Sequence, residues 1–135
     1  MNDSSASYPA SPFDLVADDL RGVDLVIEFR LGSDVPLVGD VARYIISAGG
    51  KRLRPVVLLL ACGALGYRGA LRHEMAAVVE FIHTATLLHD DVVDGSTLRR
   101  GRATANETFG NPASVLVGDF LYSRAFQMMV SADSM

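Results

Sequence analysis

Residues 83–94 read HTATLLHDDVVD, an apolar run closed by three carboxylates. Asp90 and Asp94 are four apart, so on a helix they stand one turn apart, about 6 Å along the axis. Asp91 lies roughly 100° to one side. Three negative charges this close repel one another and are costly to desolvate. A divalent cation removes that cost. Carboxylates without a Cys or His cage suit Mg²⁺, which takes phosphate oxygens readily as its remaining ligands. Asp90, Asp91 and Asp94 are therefore candidates to hold such an ion together. An isolated cluster of this kind also fits a solvated acidic patch.

Two basic segments flank the acids and favour the chemical reading. The first is GGKRLRP at residues 49–55. Gly49-Gly50 reads as the stop of one helix and Pro55 as the first residue of the next. Lys51, Arg52 and Arg54 then sit in a turn opening onto a helix N-terminus, which already favours anions. The second is RRGR at residues 99–102. Adjacent arginines point in different directions, so Arg99 and Arg100 can each grip a different anion, and guanidinium suits phosphate. Either segment alone also fits a solvated face, a nucleic acid or an acidic lipid. Cations on both sides of a carboxylate helix call for a phosphorylated ligand bridged to the acids by metal.

GGKRLRP, EFIHTATLLHDDVVD, STLRRGRATAN and GNPASVLVGDFLYSRAFQMM together resemble the trans-polyprenyl diphosphate synthases, especially the bacterial octaprenyl/solanesyl type. The resemblance covers about Phe13 to Val130. It implies an all-α isoprenoid synthase fold, here truncated to its N-terminal half. It implies that Asp90, Asp91 and Asp94 are the catalytic acids that bind Mg²⁺ and the allylic diphosphate, with Asp90 and Asp94 as the direct metal ligands. It maps an isopentenyl diphosphate site onto Lys51, Arg54, His83 and Arg100, and gives Arg99 to the allylic diphosphate. The family's second aspartate-rich motif belongs to a C-terminal half that this sequence does not contain. The chain is accordingly expected to be one wall of an active site and a doubtful catalyst alone.

The reaction implied is ionisation, condensation and elimination, lengthening a prenyl diphosphate by one C5 unit. Small residues at Ala85 and Thr86 are expected to leave the product tunnel open below Asp90, for a product of about C40 and a quinone side chain. The resemblance also implies a homodimer. A prenyl-diphosphate-binding subunit without turnover is the alternative. A terpene cyclase shares the acidic motif but needs no second diphosphate site, so GGKRLRP and RRG count against it.

The acids need a long helix beneath them, and periodicity supplies one over Leu71–Asp94, expected to be central and buried. Other helices are expected over Phe13–Leu31, Val35–Ala48, Pro55–Gly66 and Pro112–Val130, with a short turn at Ala105–Phe109. Gly32-Ser33-Asp34 and Gly95-Ser96 read as breaks. No alternating strand pattern is visible, so the fold class is an all-α antiparallel array. Residues 1–12 are read as a flexible tail and residues 13–135 as the domain. Among single residues, His89 is expected to bond a neighbouring helix, His73 to lie on the surface, and Asp119 to be paired. Phe120, Leu121, Phe126, Met128 and Met129 read as core or subunit interface.

The composition permits this. Half of the 135 residues are hydrophobic and 7% aromatic, with no Trp, which suits a Leu/Val/Ile/Ala helical core. A net charge of −4 argues against general nucleic-acid binding. The single Cys62 reads as core and forms no disulfide framework. The apolar run Val56–Leu65 is too short to span a bilayer. The Ser-rich, acidic N-terminus lacks the features of a signal peptide, so the expected compartment is the cytoplasm.

Overall fold

The computed structural model describes residues 11–32, 35–47 and 52–132. Lys51 and the glycine pair before it lie outside the described residues, as does the expected tail up to residue 10. The described chain forms seven helices and one two-stranded ribbon.

The central element is α5, Leu71–Asp94, whose ends fall where periodicity places them. Its apolar side buries Ala77, Phe81, Ala85 and Leu88. Phe81 has no exposed surface, and truncating such a ring typically costs about 3–5 kcal/mol. The helix ends at Gly95, whose φ of 66° is left-handed. The Ser96 amide donates to the Asp91 carbonyl at 3.0 Å, so the last turn is closed by backbone alone.

Four further helices pack around α5. The helix α4, Leu53–Ala64, contributes Val56 and Leu59; α2, Ala17–Arg30, contributes Val23 and Ile27. The helix α7, Asn111–Ser131, lies along α5 and buries Val117, Leu121, Ala125 and Met128. The helix α3, Pro36–Ser47, packs on α7 with Val41, Ala42 and Ile45. A Cβ on Gly118 would collide with the His89 ring. Glycine there lets α7 approach α5 closely.

Several expectations need correction. The first long helix is two: α1, Pro12–Leu15, then a break at Val16 before α2. Val16 leaves helical geometry (φ −118°, ψ 17°) and turns its side chain into the core at 5% exposure. Pro12 is already helical, so the domain includes the end of the expected tail. The helix α4 begins at Leu53, placing Pro55 third in the first turn, where its missing N–H still costs nothing. His73 is half-buried rather than on the open surface. Its ring bonds Asp19 at 3.0 Å in the α2–α5 seam, beside the Arg72–Asp19 and Arg30–Glu74 ion pairs. Cys62 is half-buried, and Phe126 is 58% exposed.

The ribbon was not foreseen. Strand β1, Leu98–Arg99, pairs antiparallel with β2, Arg102–Ala103. Arg100 and Gly101 both have positive φ, 54° and 74°. Two such residues in a two-residue loop make a type I′ turn, whose twist suits a hairpin. The helix α6, Ala105–Phe109, follows. Thr104 caps it by accepting from the Glu107 amide at 3.3 Å, and its hydroxyl donates to the Ser96 carbonyl. The ribbon is thus tied at its base to the end of α5. No described helix is long and apolar enough to cross a membrane.

Candidate functional site

Helical arithmetic sorts the polar residues of α5 before any contact is considered. Glu80, His83, Thr84, Leu87 and Asp91 follow the i, i+3, i+4, i+7, i+11 pattern of one stripe. That stripe forms one wall of a cavity of about 350 Å³. Arg52, Leu53 and Arg54 of the α4 turn form a second wall, and Arg99, Arg100 and Arg102 of the ribbon a third. Tyr44 of α3 closes the side. Five guanidinium groups therefore surround one cavity.

Two of the five are held by acids. Arg99 donates Nε to Asp91 Oδ2 at 3.1 Å and Nη2 to Asp91 Oδ1 at 2.6 Å. Asp91 is 2% exposed, so its carboxylate is spent on orienting Arg99. The same pair holds the Arg99 guanidinium charged, its pKa raised chiefly by the Asp91 hydrogen bond. Arg52 sits between Asp24 at 3.2 Å and Glu80 at 3.5 Å. Glu80 is almost fully buried, and burial pushes its carboxyl upward against the pull of Arg52 and Arg54.

Arg54 lies 3.2 Å from His83 Nε2. Burial is the main cause lowering the His83 pKa, with Arg54, Arg99 and Arg100 adding to it. The imidazole is therefore neutral at neutral pH, with one ring nitrogen facing a cation. Arg52 and Arg100 are the two non-glycine residues with positive φ among those described, 53° and 54°. Both point into this cavity, and backbone strain of this kind concentrates at functional sites.

Of the residues singled out from sequence, the structure brings Arg54, His83, Asp91, Arg99 and Arg100 to one cavity. Lys51 lies outside the described residues. Asp90 and Asp94 stand beside the cavity on the solvent face of α5, both exposed. Neither makes a hydrogen bond or ion pair with another described residue. No group of three or more described His, Cys, Asp or Glu side chains is arranged to enclose a metal. Two carboxylates one turn apart, without a partner among the described residues, nevertheless fit Mg²⁺, which usually keeps waters and phosphate oxygens as most of its ligands.

His89 bonds α7, as expected, through the Val115 carbonyl at 3.3 Å, and reaches Asp119 at 3.4 Å. The two wall residues part company. Ala85 is fully buried in the core. Thr86 is half-buried, donating to the Ile82 carbonyl and lying 3.1 Å from the Tyr122 hydroxyl across α5 and α7.

Sequence reasoning places Arg52 and Arg102 in the two basic segments without a role of their own, and singles out neither Tyr44 nor Glu80. Glu80 carried a signal, a carboxylate eleven residues before Asp91 on an apolar helix. Tyr44 carried none, because its partners lie 59 and 64 residues away.

Comparison with known proteins places the chain in a family. Residues 35–135 match the polyprenyl synthetase family model. The octaprenyl diphosphate synthase of Escherichia coli (strain K12) is 58% identical over 122 residues, 90% of this chain and 38% of that protein. A decaprenyl diphosphate synthase structure from Rhodobacter capsulatus superposes with a TM-score of 0.86 at 50% identity, covering 89% of this chain and 37% of that one. A Caulobacter crescentus polyprenyl synthase, solved with calcium and isoprenyl diphosphate, gives a TM-score of 0.87 at 50% identity, with 92% and 38% covered. The chain thus spans under two-fifths of the length of these relatives. It belongs to the polyprenyl synthetase family.

Proposed function

We propose that this chain forms the diphosphate-binding wall of a prenyltransferase that adds isopentenyl diphosphate to an allylic diphosphate. The observation that carries the reading is the cavity where five arginines meet the Asp91 end of α5, beside two unpaired carboxylates. Arg54, His83 and Arg100, with Lys51, hold the isopentenyl diphosphate. Arg99, fixed by Asp91, holds the allylic diphosphate. Asp90 and Asp94 hold a divalent cation, taken to be Mg²⁺, and that ion supplies charge neutralisation to a diphosphate leaving group. The relative crystallised with calcium and isoprenyl diphosphate supports this ligand chemistry.

The arginines act electrostatically. They are preorganised before any ligand arrives, so they stabilise charge that develops on departing diphosphate oxygens without reorganising. The neutral His83 offers a hydrogen bond without adding to the repulsion among them. The apolar flank of α5 beyond Asp90 keeps water from a reactive allylic cation. The relatives named octaprenyl and decaprenyl synthases favour a long all-trans product, of about C40, used as a quinone side chain. A homodimer and a cytoplasmic location complete the proposal.

The test is calorimetric titration of pyrophosphate with and without Mg²⁺, in the wild-type chain and in Asp90→Ala/Asp94→Ala. Mg²⁺ is expected to strengthen binding only in the wild type. Equal binding in all four experiments would remove the basis of the reading.

A further inference from the structure

We propose that Arg102, stacked on the Tyr44 ring, is an additional diphosphate-binding guanidinium of this cavity; the inference rests on the reading of the cavity as a diphosphate site.

The charge inventory leads to it. Five guanidiniums line the cavity, but its only carboxylates are Glu80 and Asp91. Arg52 and Arg99 take both of them. Arg54, Arg100 and Arg102 have no carboxylate partner among the described residues. A terminal phosphate carries roughly −1.5 to −2 at neutral pH, and a diphosphate more. Three unmatched cations suit such a group better than two.

The ribbon geometry adds a second argument. Arg99 and Arg102 are directly paired across β1 and β2. Like charges facing one another across strands are destabilising. Arg100 adds a third charge at the turn, in a left-handed conformation that L-residues avoid. Asp91 relieves only Arg99. An anion lying against the ribbon would relieve the rest.

Tyr44 supplies the orientation. The Arg102 guanidinium carbon lies 4.1 Å from the Tyr44 ring centroid. Stacking occupies one face of the guanidinium, and its five N–H donors exceed what the Tyr44 hydroxyl can take, so others remain for an anion. The ring is itself pinned. Its hydroxyl donates to the Ala103 carbonyl at 2.7 Å and accepts from Thr108 at 3.4 Å, and its edge meets Phe109 at a centroid distance of 5.2 Å. One tyrosine thus fixes both the β2 backbone and the neighbouring arginine. Tyr44 acts as a positioning residue, and Arg102 is the binding one.

The experiment titrates pyrophosphate into the full 135-residue chain with Mg²⁺, for wild type, Arg102→Gln, Arg102→Lys, Tyr44→Leu and the remote control Arg68→Gln, with a thermal melt of each. Arg102→Gln is expected to weaken binding about tenfold, the effect of losing a hydrogen bond to a charged group. Its melting midpoint should stay within a few degrees of wild type, because the lost stack on Tyr44 and the removed cross-strand repulsion offset one another. A purely structural Arg102 would lower it. Arg102→Lys should recover part of the affinity, Tyr44→Leu should lose part, and Arg68→Gln should match wild type. Binding within twofold of wild type in both Arg102 variants overturns the proposal, and does so alone if Arg54→Gln still weakens binding. No pyrophosphate binding by the wild type overturns the diphosphate reading of the cavity as well.

Discussion

Asp91 and Arg99 form a two-point ion pair at 3.1 and 2.6 Å, with the carboxylate buried and the guanidinium side chain 36% exposed. The three aspartates therefore divide their work. In the proposed reading Asp90 and Asp94 hold the cation, while Asp91 aims an arginine. The asymmetry in exposure gives an asymmetric prediction. Arg99→Gln strands a buried carboxylate and should lower stability by about 3 kcal/mol. Asp91→Asn leaves a guanidinium that can turn to water and should lower it by about 1 kcal/mol. Urea denaturation of the two variants measures the difference. Equal losses would show that the pair is balanced rather than anchored on the acid.

His83 gives a pH-dependent prediction. Burial and three arginines lower its pKa below the usual value near 6.5. The unfolded chain then binds more protons than the folded one in the window just below about pH 6.5, so stability falls as pH falls through it. The stability due to neutral His83 is complete above about pH 6.5. His83→Gln should flatten that part of the stability curve. A diphosphate anion placed between Arg54 and Arg100 would reverse the local field and draw a proton onto the ring. Pyrophosphate titrations near pH 6, repeated in buffers of different ionisation enthalpy, should show proton uptake in wild type beyond that in His83→Gln. Identical uptake in both would place the anion away from His83.

The outer face of α7 leads to a third expectation. Leu116, Phe126 and Val130 are 56%, 58% and 74% exposed, and Val115 joins them on one stripe. Exposed apolar side chains on one face favour association even where Asp119 and Ser123 interrupt them. The chain also spans only 38% of its E. coli relative. The 135-residue chain should therefore self-associate in sedimentation experiments, bind a hydrophobic dye, and show no turnover of farnesyl diphosphate with isopentenyl diphosphate. Phe126→Glu should reduce association. A monomer that turns over substrate would contradict the expectation on both counts.

The sequence made some of this plain and hid the rest for physical reasons. The limits of α5 were legible because a long apolar period ends at a glycine that can adopt positive φ. The turn at Ala105–Phe109 was legible because Thr104 and Glu107 have capping spacing. The ribbon was not, since LRRGRA has no alternation and puts arginine where Asn or Asp normally opens a type I′ turn. The break at Val16 was hidden because valine suits both an apolar helix face and an inward-turned junction. His73 looked like a surface residue because its partner Asp19 is 54 residues away. Distant partners also concealed Tyr44. Near-neighbour spacing on α5 shows the acidic cluster and the resemblance singles out His83, but neither could say that the middle aspartate serves Arg99.

On the sequence, Ala85 and Thr86 form one small-residue wall below Asp90, and the structure separates them by what each touches. Ala85 has no exposed surface. Thr86 lies 100° around the helix, nearer the side of Asp90, and meets the Tyr122 hydroxyl at 3.1 Å. A bulky ring at 85 must displace packed neighbours, and overpacking of this kind costs typically 1–3 kcal/mol. A ring at 86 needs only to displace the tip of Tyr122 and can reach the open side. Thr86→Phe should therefore melt close to wild type, and Ala85→Phe several degrees lower. In a full-length protein completed with the C-terminal half of a related synthase, Thr86→Phe should shorten the products while leaving the first condensation intact. Ala85→Phe should lose activity without a discrete shortening. Product lengths read by chromatography decide between them. Unchanged products from an active Thr86→Phe variant would show that the growing chain does not pass this face.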